Sequence, residues 1–277
     1  MEHYGIRGTP LKLFENYLMN RKQFTQIDST LSEWNHVTYG VPQGSVLGPI
    51  LFLIYINDII NSSSILKFFL FADDTTIFFS SKQSLEAQKV LNNELNKVKV
   101  WLNCNKLSLN MDKSNYLKFS LLPEKINVTP KIQNIPLTRK RVTKYLGVLI
   151  DDKLTWKDQI NSINMKIRKG IGMLSKVKDY VTNSTLKTLY YSFIYPYLDY
   201  NIINWSSAAP TNLNCLAISN KKAVRTILSK IRQELSRPLF KQLEILPLDE
   251  LIRFKRGIFM WKLDHHHLPS LNQYFYY

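Results

Sequence analysis

The pattern of apolar and polar positions splits the chain into a first part of mixed periodicity and a second part that is helical throughout. In "TPLKLFENYLMNR", Pro10 stands behind Thr9 in a first helical turn, and Leu11, Phe14, Tyr17 and Leu18 recur at helical spacing. "YGVPQGSVLGP" packs three Gly and two Pro into eleven residues, which makes it a shaped loop. "PILFLIYINDII" starts on a proline and is apolar nearly all round, which predicts a helix buried in the core. Two short apolar runs, "ILKFFLF" and "TTIFF", flank "ADD". Their aromatic and β-branched content predicts a hairpin with Asp73 and Asp74 at its turn. Leu85, Val90, Leu91, Leu95, Val98 and Leu102 then follow a helical period with Lys and Asn between them, an amphipathic helix lying on a sheet. "YLKFSLL" and "KYLGVLI" read as further strands joined by a Pro-containing loop. These elements predict an α+β domain over residues 1–154, an antiparallel sheet with packed helices.

From about residue 155 the period is helical only. Ile160, Ile163, Ile167, Ile171, Leu174 and Val177 recur at three and four residues, while Lys157, Lys166, Arg168, Lys169, Lys176 and Lys178 crowd the other positions. One long helix with an apolar stripe and a basic surface follows from that spacing. "NSTLKTLYYSFIYPYLDY" predicts a second helix, capped near Ser184 and stopped before Pro196. Further helical patterns run from about Lys221 to Leu235 and from Leu248 to Leu263, so residues 155–277 form an all-helical region without internal repeat.

The charge adds a partner to this outline. With 37 Lys and Arg against 21 Asp and Glu the chain carries +16. Residues 1–150 hold 18 basic and 11 acidic groups and residues 151–277 hold 19 and 10, so the excess belongs to the folded body and not to a tail. A basic field of this kind serves a polyanion, nucleic acid being the commonest, or else only solubility. Cys104 and Cys215 are too few and too far apart for a disulfide framework or a zinc site, and they read as free thiols of a reducing compartment. "MEHYGIRGTP" has no signal-peptide pattern. The longest apolar run, "ILFLIYI", is well short of the roughly 20 residues of a membrane span. A soluble, intracellular protein is the expectation.

Asp73 and Asp74 carry the candidate chemistry. An ionised carboxylate is costly to bury without a partner, so a pair inside an apolar run calls for compensation. Asp-Asp between strands is ordinarily just a polar turn. Asp-Gly or Asn-Gly would make the better plain turn, because two positions with φ > 0 are costly for Asp. The order of a Gly/Pro loop containing Gln43, a buried helix and an apolar hairpin carrying Asp-Asp is more specific than any one piece.

On these residues the chain resembles the reverse transcriptases of non-long-terminal-repeat retrotransposons, especially the Jockey-like branch. "YGVPQGSVLGPILFLIYINDI" resembles the family's template- and nucleotide-contacting motif, and "FADD" its catalytic hairpin, with Ala72 in the variable position. "LSLNMDKSNYLKF" is similar to the next motif and "KYLGVLID" to the primer-grip hairpin. "SFIYPYLDYNIINW" and the final "LPSLNQYF" resemble the segments that follow. The resemblance implies a partial right-hand polymerase palm followed by an all-helical thumb and C-terminal extension. It also implies a two-metal nucleotidyl transfer in which Asp73 and Asp74 hold Mg²⁺ or Mn²⁺. Gln43, Gly44, Ser45, Phe71 and Ala72 would contact the nucleotide and template, Lys113 the triphosphate, and Tyr145, Leu146 and Gly147 the primer. RNA template, DNA primer, deoxynucleoside triphosphates and a nuclear location are implied as well, with oligomeric state open.

Each assignment has a plainer reading: a solvated lysine at 113, a ligand-free turn at Gln43–Gly44, ordinary solvated positions on the basic helix. "LTRKRVTK" fits a basic loop before a strand as well as a nuclear signal, and His265, His266 and His267 point in different directions from a helix end. Such polymerases use a third carboxylate from a motif that precedes "YGIRG", and neither Asp28 nor Asp58 follows the apolar strand that would make it a substitute. A truncated copy with impaired nucleotidyl transfer is therefore expected, with the hairpin edge left unpaired and sugar selectivity unreadable. The alternative function is a non-catalytic nucleic-acid-binding remnant.

Overall fold

The computed structural model describes residues 1–81, 84–120 and 129–268, the side chains of residues 84 and 85 excepted. All but the first residue of "LPSLNQYF" and the end of "YLKFSLL" lie outside the described residues. The chain divides into two compact units, Met1–Asn115 with Lys125–Thr138, and Tyr116–Glu124 with Arg139–Tyr277. The packing division thus falls near residue 139, so the hairpin after it packs with the helices that follow.

In the first unit, helix α1 (Thr9–Leu18) has Pro10 in its first turn, as the spacing predicts. Two minimal antiparallel ladders follow, Lys22–Gln23 with Asn35–His36 and Gln26–Ile27 with Thr30–Leu31. Helix α2 (Leu47–Ile56) runs on into 3-10 turns over Asn57–Ser62. The expected burial of α2 does not hold. Gly48, Leu51 and Ile56 are buried, but Ile50, Leu53 and Tyr55 keep 51%, 50% and 44% exposure. Hydrophobicity all round a helix does not say how many sides are covered, and here one side meets the core.

The aspartate hairpin pairs Lys67–Phe71 with Asp74–Phe78, Phe71 standing opposite Asp74. Strands alternate their side chains between two faces, so Phe68, Leu70 and Ile77 turn to the core while Phe69, Phe71 and Phe78 are exposed. The expected continuous antiparallel sheet is replaced, among the described residues, by separate two-stranded ladders. Helix α3 (Ser84–Cys104) supplies Leu95 and Val98 to the same core as Ile56, Ile59 and Leu66. Its polar positions also carry structure. Asn92 and Asn96 accept the backbone N–H groups of Lys131 and Gln133 at 2.8 and 3.0 Å, fixing the Lys131–Ile132 and Ile135–Pro136 ladder.

The second unit opens with the hairpin Val142–Tyr145 and Val148–Asp151, turning at Leu146 and Gly147. Helix α4 (Lys157–Val177) follows with the predicted stripe: Ile160, Ile163, Ile167, Ile171 and Leu174 are each at most 3% exposed. Each such burial is worth about 1.5–3 kcal/mol. They pack with Leu186 and Tyr190 of α5 (Asn183–Phe193), Leu198 of α6 (Tyr195–Asp199) and Trp205 of α7 (Ile202–Trp205). At Gly170 even a Cβ would lie 2.8 Å from Ile194 Cγ1 and 3.0 Å from the Phe193 carbonyl oxygen, so α4 meets the end of α5 backbone to side chain. Thr182, not Ser184, caps α5, its hydroxyl accepting Thr185 N–H at 3.3 Å.

Helix α8 (Pro210–Ile227) begins eleven residues before the predicted start and ends at Ile227, after which α9 (Ser236–Leu243) and α10 (Leu248–Asp264) complete the unit. Buried Ser219 and Asn220 interrupt its apolar stripe, which hid the first half. Tyr190 Oη donates to Asn220 Oδ1 at 2.9 Å, giving one buried polar group its partner. His265 and His267 both stack on Trp261, at 4.4 and 5.3 Å between centroids, so the end of α10 is an aromatic cluster as well as a solvated one. Among the described residues no helix is long and apolar enough to cross a membrane.

Asp151 starts α4 from a distance. Its carboxylate accepts the N–H groups of Lys153, Thr155 and Trp156 at 3.1, 2.9 and 2.8 Å, and Trp156 adopts φ 61° as the residue before the helix. Burial alone would raise this carboxyl's pKa; the hydrogen bonds from Thr155, Trp156 and Lys153 outweigh it and leave the pKa below the ordinary aspartate value. A depressed carboxyl stabilises the fold above the unfolded-state pKa of about 3.9 and loses that contribution as pH falls through the folded value. Asp151→Asn is therefore expected to cost about 2 kcal/mol at neutral pH. The gap to wild type should close on acidification below about pH 4, as followed by urea unfolding at several pH values.

Candidate active site

Asp73 and Asp74 are exposed at the tip of their hairpin. The compensation expected for a buried pair is therefore not required by the fold, and both carboxylates are open to an external ligand. The turn spans Ala72 and Asp73, and of its residues Ala72 alone takes positive φ, 51°. The strained conformation thus falls on Ala72 and spares the aspartates; for a residue with a Cβ it costs about 1–2 kcal/mol.

The entry to this hairpin is pinned from α3. Buried Glu94 accepts Ser63 Oγ–H at 2.6 Å and Lys97 Nζ at 2.7 Å, and Ser63 Oγ accepts the N–H of Leu66 at 3.1 Å, just before the first strand. The hydrogen bonds from Lys97 and Ser63 hold the Glu94 carboxyl below the usual range against the opposing effect of burial. Nothing in sequence marks this pair, because Ser63 and Glu94 are 31 residues apart.

Gln43 and Gly44 are exposed in the loop before α2. Gly44 takes φ 79°, a conformation that suits a residue without a side chain, and the space beside it is open. Ser45 closes the loop: its hydroxyl donates to Pro42 O at 2.8 Å and accepts Gly48 N–H at 3.0 Å. Arg21 donates to the carbonyls of Leu18 at 3.1 Å and Gly40 at 2.5 Å, tying the loop to α1. Lys113 is exposed in a turn held by its own N–H to Asn110 Oδ1 at 3.1 Å and by Ser114 Oγ to Asn110 O at 2.7 Å.

Three of the quoted motifs share one core. Phe52 of α2, Leu70 and Ile77 of the aspartate hairpin, and Met111 beside Lys113 all pack against the cluster of Ile56, Leu66 and Leu95. Phe71 and Ala72 are exposed with the aspartates. Tyr145, Leu146 and Gly147 belong to the second unit. There Leu146 and Gly147 take φ 45° and 85°, the two positive values of a tight hairpin turn. Tyr200 Oη donates to Leu146 O at 2.5 Å, and its ring lies 3.6 Å from where a Gly147 Cβ would stand. Tyr200 lies in "PYLDY", a segment legible in the sequence, but its contact 54 residues back is not.

Two adjacent exposed carboxylates fit a hard divalent cation such as Mg²⁺, which keeps several waters and takes substrate phosphate oxygens as further ligands. Among the described residues no group of three or more His, Cys, Asp or Glu side chains gathers to hold a metal by itself.

Residues 2–150 match the family model described as reverse transcriptase (RNA-dependent DNA polymerase). The chain is 29% identical over 223 residues to a probable RNA-directed DNA polymerase from transposon X-element of Drosophila melanogaster, covering 76% of this chain and 24% of that protein. It is 24% identical over 267 residues to the RNA-directed DNA polymerase from mobile element jockey of Drosophila melanogaster, covering 91% and 28%. The jockey polymerase of Drosophila funebris is 26% identical over 266 residues, covering 92% and 29%. The chain spans about a quarter of the length of these curated relatives. No solved structure matches it significantly.

Proposed function

Because the chain belongs to the reverse transcriptase (RNA-dependent DNA polymerase) family, we propose that it supplies the catalytic hairpin and nucleic-acid-holding helices of an RNA-directed DNA polymerase of a non-long-terminal-repeat retrotransposon. The observation that carries this reading is the display of Asp73 and Asp74 at the exposed tip of a paired hairpin that shares one hydrophobic core with α2, which follows the Gln43 loop, and with Met111 beside Lys113. Residues 1–154 act as palm and primer grip, and residues 155–277 as helical thumb and C-terminal extension. The family works with divalent metal; Mg²⁺, or Mn²⁺ in its place, is the ion proposed here, with RNA template, DNA primer and deoxynucleoside triphosphates as substrates in the nucleus.

In the reaction a primer 3′-hydroxyl oxygen bonds to the α-phosphorus of the nucleotide while the bond to pyrophosphate breaks. Asp73 and Asp74 would hold the divalent ions, whose chemistry when bound would be to neutralise charge on the attacking and leaving oxygens. The chain's own part is positioning. The ladder is paired up to Phe71 and Asp74, which fixes the backbone from which both carboxylates project, and positioning with charge stabilisation accounts for most catalysis in phosphoryl chemistry. Gly44 leaves room for the nucleotide, Gln43 and Ser45 offer polar groups beside it, and Phe71 and Ala72 flank it. Lys113 neutralises or protonates the departing pyrophosphate. Tyr145, Leu146 and Gly147 hold the primer end through a turn that Tyr200 braces.

The test is template-primed nucleotide incorporation by the purified chain in Mg²⁺ and then Mn²⁺, beside the Asp73→Ala/Asp74→Ala variant. Weak incorporation that the variant abolishes is the expected result. Incorporation that survives the double substitution removes the aspartates from the mechanism, and no incorporation by a folded chain that still binds template-primer leaves the non-catalytic nucleic-acid-binding reading.

A further inference from the structure

Tyr200, whose hydroxyl donates to Leu146 O, stands in a two-residue bridge between helices too short to be stable by themselves. α6 has five residues and α7 four; Tyr200 is extended at the end of the first, and Asn201 takes φ 55° before the second. The direction of the Tyr200 ring is therefore set by whatever fixes those helix ends. Leu198, Ile202 and Trp205 bury one side of the segment in the core. Two further ties come from a single helix, α10. Lys255 Nζ donates to Asp199 Oδ1 at 2.6 Å, the same oxygen that accepts Tyr195 Oη–H at 3.3 Å. Arg256, the next residue, donates through Nη2 to Ser206 O at 3.0 Å and to Ser206 Oγ at 3.1 Å.

Asp199 and Ser206 bracket the stretch that holds Tyr200 and Trp205, so α10 grips it at both ends. Neighbouring residues on a helix point about 100° apart, which lets Lys255 and Arg256 reach two separate places. Leu248 and Leu251 seat the start of α10 in the core, and no later residue of the helix is buried. The turn after Leu251 nonetheless delivers both basic groups to the bridge. The Lys255 and Asp199 side chains keep 26% and 32% exposure, and an ion pair so open to water contributes little to global stability. Its effect falls on the geometry of the bridge.

We propose that α10 is a clasp on the primer-holding turn, with Lys255 and Arg256 as positioning residues that fix the α6–α7 bridge so that Tyr200 holds the Leu146–Gly147 turn in one place. The path is short and lies wholly within the second unit: Lys255 to Asp199, then Tyr200, then Leu146 O. The partners of both basic residues lie at the ends of the bridge, so both act on the turn through Tyr200. What the turn holds, a primer end, rests on the polymerase reading; how the turn is held does not.

The experiment is steady-state incorporation by the full chain, with template-primer and nucleotide varied separately, beside hydrogen–deuterium exchange across residues 143–150 of the same samples. Lys255→Met should raise the KM for template-primer about five- to tenfold and speed exchange at the turn, while the KM for nucleotide and the melting temperature stay near wild type. Arg256→Ala should act in the same direction, and Lys255→Arg, which keeps the charge, should behave as wild type. Tyr200→Phe removes only the hydroxyl and should match Lys255→Met; the double variant should be no worse than Tyr200→Phe alone, because the clasp acts through that hydroxyl. A merely destabilising change would lower the melting temperature and the amount of active chain, and so the apparent kcat, without moving the KM for template-primer. Equal rises in both KM values, additive losses in the double variant, or unchanged exchange at the turn in Lys255→Met would each overturn the proposal. Should Lys255→Met fail to fold, Asp199→Asn, which breaks the same ion pair with little change of shape, is read by the same criteria. A folded chain that incorporates nothing sinks the catalytic reading alone, and the exchange data then decide the clasp by themselves; incorporation whose KM for template-primer ignores Lys255→Met sinks the clasp alone.

Discussion

Asp73→Asn and Asp74→Asn are each expected to reduce template-primed incorporation by about a thousandfold, roughly 4 kcal/mol of transition-state stabilisation, while leaving the melting temperature almost unchanged. The two halves of this expectation come from different parts of the geometry. Neither carboxylate is buried, so losing its charge costs the fold no more than an ordinary surface change, within about 0.5 kcal/mol. Asn also suits a hairpin turn at least as well as Asp. The catalytic loss arises because Asn keeps the shape and removes the negative charge that a divalent ion requires. Rates measured with saturating nucleotide, together with thermal melts of the same samples, separate the two. A variant that melts as wild type and incorporates nucleotide at the wild-type rate would take the residue out of the metal site.

Trp205→Ala is expected to be the most damaging single truncation of the second unit, costing about 3–5 kcal/mol. Trp205 is fully buried in the helical core, and its indole N–H donates to Tyr200 O at 2.9 Å. Tyr200 in turn donates its hydroxyl to Leu146 O, so the Leu146–Gly147 turn is joined through two hydrogen bonds to the largest buried side chain of the unit. Trp205→Phe keeps most of the packing and should cost chiefly the hydrogen bond, about 1 kcal/mol beyond the smaller ring's lost contacts. Urea unfolding followed by helical circular dichroism measures both. A loss below about 1 kcal/mol for Trp205→Ala would mean that the site repacks and does not anchor the turn.

The elements that were legible in sequence are those whose signal is local and repeated. The stripe from Ile160 to Leu174 predicts α4 and its buried face, because about four turns of consistent spacing leave little room for another element. The apolar runs around Asp73 and Asp74 predict their hairpin for the same reason. The first half of α8 is hidden because Ser219 and Asn220 are polar and buried, hydrogen-bonded to Asn164 and Tyr190, residues far away in sequence. Burial of α2 was overestimated because composition records which residues tolerate a core and not which of them meet one. At the candidate site, Gln43, Gly44 and the aspartates stand out through unusual residue types in a tight order. Glu94, Asp151 and Tyr200 do not, since each acts by a hydrogen bond to a backbone or hydroxyl group that only the fold brings near.

The close meeting of α4 with the end of α5 at Gly170 sets a limit on how this chain can drift. Every residue other than glycine carries the Cβ that Ile194 and the Phe193 carbonyl exclude, so this position has no neighbour in sequence space that leaves the helices where they are. Among homologous chains, substitutions should therefore collect at Gly257, where a Cβ would meet nothing within 4 Å, long before they appear at Gly170. A chain substituted at position 170 is one in which the packing of α4 on the end of α5 is no longer maintained.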